Sequence, residues 1–357
     1  MSGTLKVTTL QDGASSTANL TFDTNANATV GGTLAMASSF KRNRIINGNM
    51  LIDQRNAGAS TTPAASGYLL DRFAWIGSIG SKLTFGQNLN SVTLPSGFTK
   101  YLGAQTASAT TPGATEFYAE YQVIEGYNMA DFGWGTANAK TVTLSFVAYS
   151  SLTGTFGGSI YNSAGNRCYP FSYSIPAANT WTTISITVAG DTTGTWATDN
   201  TAGAVIMFGL GAGASVSGTA GAWGSTLYRS STGAVQVVAT NGATFYITGI
   251  QLEVGTKATP YEMQIYSDQL AQCLRYFTYV NAKLAGYTGA GTTNIYQGTY
   301  PVGMRATPTI VIISSGNINT TGSTVSTVNN GYYAHSSVGV ALGGFISEAI
   351  ATASAEL

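Results

Sequence analysis

One histidine, two cysteines and 15 acidic residues among 357 bound the covalent chemistry open to this chain. His335 stands in a Tyr/Ser/Gly-rich segment, and no sequence neighbour completes a nucleophile–base arrangement. Its expected place is a surface or an interface, with its polar tip satisfied locally. Glycoside hydrolysis needs two carboxylates at a fixed separation. Glu116, Glu120 and Glu125 lie in or beside one predicted strand. Glu116 and Glu120 share parity and would share its polar face about 13 Å apart, too wide for either usual mechanism. Pairs drawn from different strands stay open. Asp191 and Asp199 flank Thr-rich sequence, which reads either as a calcium loop or as a solvated loop; the spacing does not follow the EF-hand pattern. Cys168 and Cys273 make no disulfide framework and have no metal-ligand spacing. The Gly-rich loops show no phosphate-cradling arrangement. The expectation is a chain with no catalytic residue, no metal site and no cofactor.

Non-covalent chemistry is better provided for. There are 20 Tyr and 5 Trp. An aromatic face can stack on the apolar face of a pyranose ring while neighbouring amides and hydroxyls fix the sugar's own hydroxyls. Trp134, Trp196 and Trp223 are flanked by Gly, Thr or Ala in loop-like contexts, so they are candidate glycan-binding residues. Their alternative role is to cap the core. Trp75 and Trp181 sit at strand edges and are expected in the core.

The elements that would carry these residues are mostly strands. In Phe117 to Glu125, the residues Phe117, Ala119, Tyr121 and Val123 share one face; Val142, Leu144, Phe146 and Ala148 do so in the next strand. Ile184, Ile186 and Val188 alternate in the same way, and Val205 to Leu210 reads as buried on both faces. Such spacing fits a sandwich of two antiparallel sheets. A strand over Phe245 to Val254 is ended by Gly255 and Pro260. Met263, Tyr266, Leu270, Cys273, Leu274 and Phe277 then fall at helical spacing, with Ser267 as expected N-cap and Asp268 in the first turn. This stretch reads as the joint between two domains. Beyond it, Tyr276–Val280, Asn294–Val302, Thr309–Ile313 and Tyr332–Phe345 read as strands of a small unit that gains stability by oligomerising. Before residue 43, Leu5 with Val7 and Leu20 with Phe22 alternate. These strands would pair with copies or with another protein, the alternative being a disordered tail. The expected class is therefore all-β: an N-terminal segment over 1–42, a central sandwich of jelly-roll type over 43–262, and a short linking helix with a small β domain over 263–357.

Composition removes several function classes. Charged residues are 8% and balance to zero net charge, against about 25% in an ordinary soluble domain. Nucleic acid binding rests on many Lys/Arg–phosphate contacts, and docking on a membrane surface on a polybasic patch; neither is provided. No apolar run reaches the length of a membrane span, and the N-terminus lacks a secretory h-region, which fits synthesis in a cytoplasm.

A set of blocks in order carries a family resemblance. Asn43-Arg44-Ile45-Ile46-Asn47-Gly48-Asn49-Met50 with Asp53-Gln54-Arg55 resembles a block of tailed-bacteriophage tail-fibre and appendage proteins. So do Ile124-Glu125-Gly126-Tyr127-Asn128 with Trp134-Gly135-Thr136, Gly190 to Trp196, Phe245 to Pro260, Cys273 to Phe277 and Pro301 to Pro308. The middle of the chain is also similar to a carbohydrate-binding-module jelly roll, with an Asn47-Gly48 turn in the first strand and Tyr246 to Glu253 as the last. In many such modules an acidic residue of the last strand helps hold a structural calcium; here Gly249 and Gln251 stand in that vicinity. The resemblance implies a structural virion protein, a tail fibre or tail-tip appendage adsorbing non-covalently to host-surface polysaccharide. A homotrimer is the expected state, since it would satisfy open strand edges and give avidity for weak glycan sites; residues 1–42 would attach it to other tail proteins, in the virion. Because receptor contacts should differ between phages while the blocks recur, Tyr332, Tyr333 and His335 join the candidate glycan-binding residues. The alternatives are a capsid-decorating fibre or a collar or nozzle component without a receptor role, and a polysaccharide depolymerase.

Overall fold

The structure, a computed structural model, describes residues 41–357 and three short strands before them: β1 (Thr9–Leu10), β2 (Leu20–Phe22) and β3 (Ala28–Val30). These three pair antiparallel in the order β1-β2-β3. The expected alternation of Leu5 with Val7 lies outside the described residues. Residues 43–357 form one compact unit.

Its first part is a sandwich built from β4 (Gly67–Leu70), β5 (Phe73–Gly77), β6 (Leu83–Gln87), β7 (Leu102–Thr106), β8 (Phe117–Glu125), β9 (Val142–Ser150), β10 (Gly154–Asn162), β11 (Cys168–Ile175), β12 (Thr182–Val188), β13 (Ala202–Ala212), the two-residue strands β14 (Ser217–Gly218) and β15 (Ser230–Ser231), and β16 (Thr244–Val254). A six-stranded sheet runs β11-β10-β13-β8-β5-β4 and faces a five-stranded sheet, β12-β9-β16-β7-β6. Neighbours within both sheets are antiparallel. The chain crosses repeatedly from one sheet to the other, in the manner of a jelly roll. Between them lies the main core, with Phe146 and Phe208 edge to face at 5.1 Å across the gap. Trp75 belongs to it, as expected.

The six-stranded sheet is buried on both faces. Tyr118 and Ile124 of β8 point into the main core, whereas Ala119 and Val123 lie in a second cluster with Val205, Met207 and Cys168, covered by Leu227, Tyr228 and Leu357. The apolar parity of β8 thus marks the outer, covered face. Glu120 has the parity of Tyr118 and stands beside Trp75 and Phe208 in register. It is fully buried, which corrects the expectation that it occupies a polar face.

The Asn47-Gly48 turn was expected in the first strand of the sandwich, but residues 43–52 run irregularly and are held by buried amides. Asn43 donates to the Ile250 carbonyl and accepts from the Ile45 and Leu252 amides. Asn47 spans Ile52 and Asp71, and Gln122 bonds both backbone groups of Ile46. A buried irregular backbone needs such partners. At Gly48 a Cβ would stand 2.1 Å from the Ile250 carbonyl oxygen, so only glycine allows this approach. Gly249 adopts φ +62° in the irregularity of β16, beneath the Phe98 ring.

Helix α1 (Tyr266–Leu274) follows, shorter than the periodicity suggests. Its N-cap is Ile265, with no side-chain cap bond; Ser267 lies inside the helix, while Asp268 does sit in the first turn. Six strands complete the chain: β17 (Phe277–Thr288), β18 (Thr293–Thr299), β19 (Thr309–Ile318), β20 (Thr320–Thr327), β21 (Tyr332–Gly339) and β22 (Gly343–Ser354). They make two three-stranded sheets, β17-β22-β19 and β18-β21-β20. The run Tyr332–Phe345 is split between β21 and β22, because residues 340–342 turn the chain back. The core between these sheets is small: Val280, Ala282, Met304, Val325, Tyr333, Ala349, Ala351 and Ala353 are among its members.

Candidate functional site

The sequence-derived candidates separate sharply in their surroundings. Trp134 and Trp196 are buried, 6% and 7% exposed. Together with Trp223 they form a three-ring cluster with centroids 4.8–5.4 Å apart, all edge to face. The Trp134 indole donates to the Lys140 carbonyl and that of Trp196 to Asp191. Neither offers a ring face to a ligand; they cap the sandwich, the alternative role open to them. Trp223 is half-buried, its indole donating to the Ala189 carbonyl, and it packs on Tyr169. Tyr169 lines a cavity of about 170 Å³ with Phe171, Ser172, Ile186, Ala220 and Gly221.

In the terminal strands, Tyr332 is exposed, whereas Tyr333 is buried against Tyr300. His335 is fully buried: its Nε2 lies 3.0 Å from the Ser323 hydroxyl and 3.1 Å from that of Ser347, and Nδ1 has no partner. Desolvation holds its pKa below the usual value. The histidine is thus an internal hydrogen-bonding group and not a surface one, and of these three only Tyr332 faces solvent.

The carboxylates are committed elsewhere. Glu120 has neither oxygen bonded, and burial pushes its pKa well above the ordinary carboxylate value. Glu125 is buried and receives Arg275 and the Tyr276 hydroxyl. Asp191 takes a two-pronged bond from Arg167, each arm 2.7 Å, and Asp199 closes its own turn onto Thr201. Glu253 accepts from Gln251 and Thr259. A guanidinium fork on Asp191, and amide and hydroxyl donors on Glu253, do not fit a calcium site. Among the described residues no group of three or more His, Cys, Asp or Glu could hold a metal ion.

The outer face of the five-stranded sheet carries what these positions lack. Trp181, just ahead of β12, lies beside Tyr149 of β9 and Tyr246 of β16, and Tyr101 joins them ahead of β7. Tyr149 stacks on Tyr246 at 5.2 Å and 11°, and Trp181 meets Tyr149 at 5.3 Å and Tyr101 at 5.6 Å. The loop over residues 88–98 pins this group. Asn90 donates to the Tyr246 hydroxyl, the Tyr101 hydroxyl to the Leu89 carbonyl, and the Trp181 indole to the Thr93 carbonyl. Tyr101 and Tyr246 are buried beneath it; Tyr149 and Trp181 stay half-open at its margin. Running away from them along β12 are the exposed hydroxyls of Thr183, Ser185 and Thr187. A fixed aromatic margin beside an uncharged hydroxyl row is chemistry for a neutral polyhydroxylated ligand.

Trp181 was expected in the core and stands on the outer face instead. The signal lay in the strand itself: Ile184, Ile186 and Val188 face inward, and Trp181 has the opposite parity. Tyr149 and Tyr246 follow the same rule against Phe146 with Ala148 and Phe245 with Ile247.

No protein-family model matches the chain, and no curated protein sequence matches it. Several solved structures are similar at low identity. The Bacteriophage CBA120 tailspike protein 4 enzymatically active domain is 15% identical over 60% of this chain and 22% of its own, with a TM-score of 0.30. A family 11 carbohydrate-binding module from Clostridium thermocellum, in complex with a beta-1,3-1,4-mixed-linked tetrasaccharide, is 14% identical over 55% of this chain and 99% of its own, with a TM-score of 0.28. The Clostridium thermocellum endo-1,4-beta-D-xylanase 10B modules, complexed with xylohexaose, are 11% identical over 56% and 30%, with a TM-score of 0.29.

Proposed function

We propose that this protein is a structural component of a tailed-phage virion, a tail fibre or tail-tip appendage, that adsorbs non-covalently to a host-surface glycan. The aromatic margin of Trp181 and Tyr149 beside Thr183, Ser185 and Thr187 carries the glycan part of this reading. An uncharged platform of this kind suits a neutral polysaccharide, bound weakly per site and strengthened by several copies. The copies are those of a homotrimer, and residues 1–42 are the attachment to other tail proteins.

The virion part is supported by the ordered blocks that resemble tail-fibre proteins. In the fold these blocks build joints. Asn43 to Met50 fills the end of the sandwich, Asp191 and Trp196 hold a loop, and Arg275 and Tyr276 meet Glu125 where the sandwich joins the terminal strands. Arg305 bonds the Ala355 and Asn200 carbonyls at the same junction. Blocks with such roles can recur while the ligand surface varies. Binding without turnover is part of the proposal, since Glu120 and Glu125 serve the interior and the joint.

The test is adsorption of fluorescent full-length protein to intact host cells, with and without periodate oxidation of surface sugars. Periodate should abolish binding, and Trp181→Ala should weaken it about five- to 150-fold, from the loss of about 1–3 kcal/mol of stacking at a sugar. Periodate-insensitive binding, or full binding by Trp181→Ala, would sink the platform. Release of new reducing ends from the polysaccharide would turn the reading to a depolymerase.

A further inference from the structure

The two faces of the β17-β22-β19 sheet both carry apolar groups. The inner face has Ala282, Ala349, Ala351 and Ala353 at its centre, with Val280, Ile310 and Phe345 beside them. The outer face carries large side chains as well, and leaves them exposed. In register across it stand Tyr279 with Thr352 and Val311, Asn281 with Ile350 and Ser314, and Ala285 with Ile346 and Ile318. Tyr287 and the irregularity at Ile313 extend it. Tyr279, Tyr287, Val311, Ile313, Ile318 and Ile350 are between 42% and 73% exposed. Strand β19 is a sheet edge, and apart from Ile310 every residue in it is exposed. Apart from its irregularity at Ile313, such a long, exposed, apolar edge is a template for pairing with another chain.

We infer that the outer face of this sheet, with the β19 edge, is where copies of this chain meet. The inference rests on the self-association part of the proposed function and not on glycan binding. Two observations favour a second copy as the occupant. The first is charge. Lys283 and Glu348 form an ion pair on this face, opposite each other in register. Because its one cation and one anion are already paired, this face can be covered by an identical face without like charges meeting or an ion being left unpaired. The second is size. The six apolar side chains expose roughly 300–550 Å² together, taking 150–250 Å² for a whole aromatic side chain and some 60–120 Å² for an aliphatic one. A stable interface takes about 800 Å² from each partner, a little over half of it apolar. The outer face of the β18-β21-β20 sheet is more polar: Thr293, Gln297, Thr299, Ser326 and Ser336 stand among its exposed Ile295, Tyr332 and Val338. It stays open to solvent, with Tyr332 on it.

Sedimentation velocity on the full chain tests this. The wild type should sediment as an oligomer at micromolar concentration. Ile350→Glu combined with Ile318→Glu should raise the dissociation constant about a hundredfold or more, with an unchanged near-ultraviolet dichroism spectrum. Ile295→Thr, on the other sheet, should leave the oligomer intact. A monomeric wild type, or a folded double variant that remains oligomeric, overturns the inference. Should the double variant misfold, hydrogen exchange of the wild type decides: amides of β19 should lose protection on dilution, and dilution-independent protection overturns it. None of these readouts involves sugar, so loss of glycan adsorption with an intact oligomer would count against the platform alone.

Discussion

The sandwich and the terminal strands are both pairs of sheets, yet they solve the burial problem in opposite ways. In the sandwich, phenylalanines, tryptophans and isoleucines fill the gap between the sheets, and even the back of the six-stranded sheet is covered. In the terminal unit the core is small, five alanines with Val280, Tyr300, Met304, Val325 and Tyr333, and many large apolar groups are left on the outside. Its alanines contribute little transfer free energy, at about 25 cal/mol per Å². The sandwich thus buries its large apolar groups within one chain, whereas the terminal unit leaves many of its own on the outer face of β17-β22-β19. The joint between them combines a small apolar cluster of Ile46, Ile52, Cys273 and Tyr276 with ion pairs: Arg72 stacks over Tyr276 and bonds Glu356, and Arg55 reaches the same carboxylate at 2.7 Å.

This contrast can be broken or sharpened by substitution. The largest effect should come from the sandwich interior: Phe146→Ala should cost about 3–5 kcal/mol in denaturant unfolding, since Phe146 meets Tyr173 and Phe208. A cost below 1 kcal/mol would show a core far looser than its ring contacts imply. At the joint, Glu125→Gln should cost about 1–3 kcal/mol by weakening the bonds from Arg275 and the buried Tyr276 hydroxyl, with the exposed part of Arg275 reducing the loss. Thermal unfolding should show it, and equal melting of the two proteins would remove the joint's role.

Glu120 gives a change of opposite sign. Its pKa is raised in the fold, so its favourable contribution is complete below the unfolded value near pH 4 and is lost as pH rises through the folded value. Glu120→Gln should therefore stabilise the protein by about 1–3 kcal/mol at neutral pH, with the gain shrinking toward pH 4. A pH-independent difference would mean that the carboxyl has a partner. The smallest effect belongs to the terminal face. In the dissociated chain, Ile350→Thr should alter stability by no more than about 0.5 kcal/mol, because Ile350 is exposed there. A large loss in the monomer would erase the contrast.

Much of the strand plan was legible because a half-buried strand must alternate. Val142 with Leu144 and Phe146, and Ile184 with Ile186 and Val188, point as their parity requires, and β13 is buried almost throughout. The terminal strands were legible only in part. β20 and the end of β22, rich in Ser, Thr and Ala, carry no strong apolar period, so nothing local marks them as strands. Of the candidate site, Trp181 and Tyr149 were encoded by parity but masked by the habit of assigning tryptophan to a core. Trp134 and Trp196 showed the reverse: their Gly- and Thr-rich neighbours signal a loop, and no local feature tells whether a loop's tryptophan folds inward.

By itself, then, the sequence determined the all-β class, the strand parities, the turns at its glycines and the near absence of charge, since each follows from neighbours along the chain. Tertiary structure alone decided which face of β8 meets the opposite sheet and so sends Glu120 inside. It also decided that three tryptophans close on one another, and that His335 is sealed between two serines. Parity says only that two sets of side chains point apart; what covers each set is supplied by segments distant in the chain.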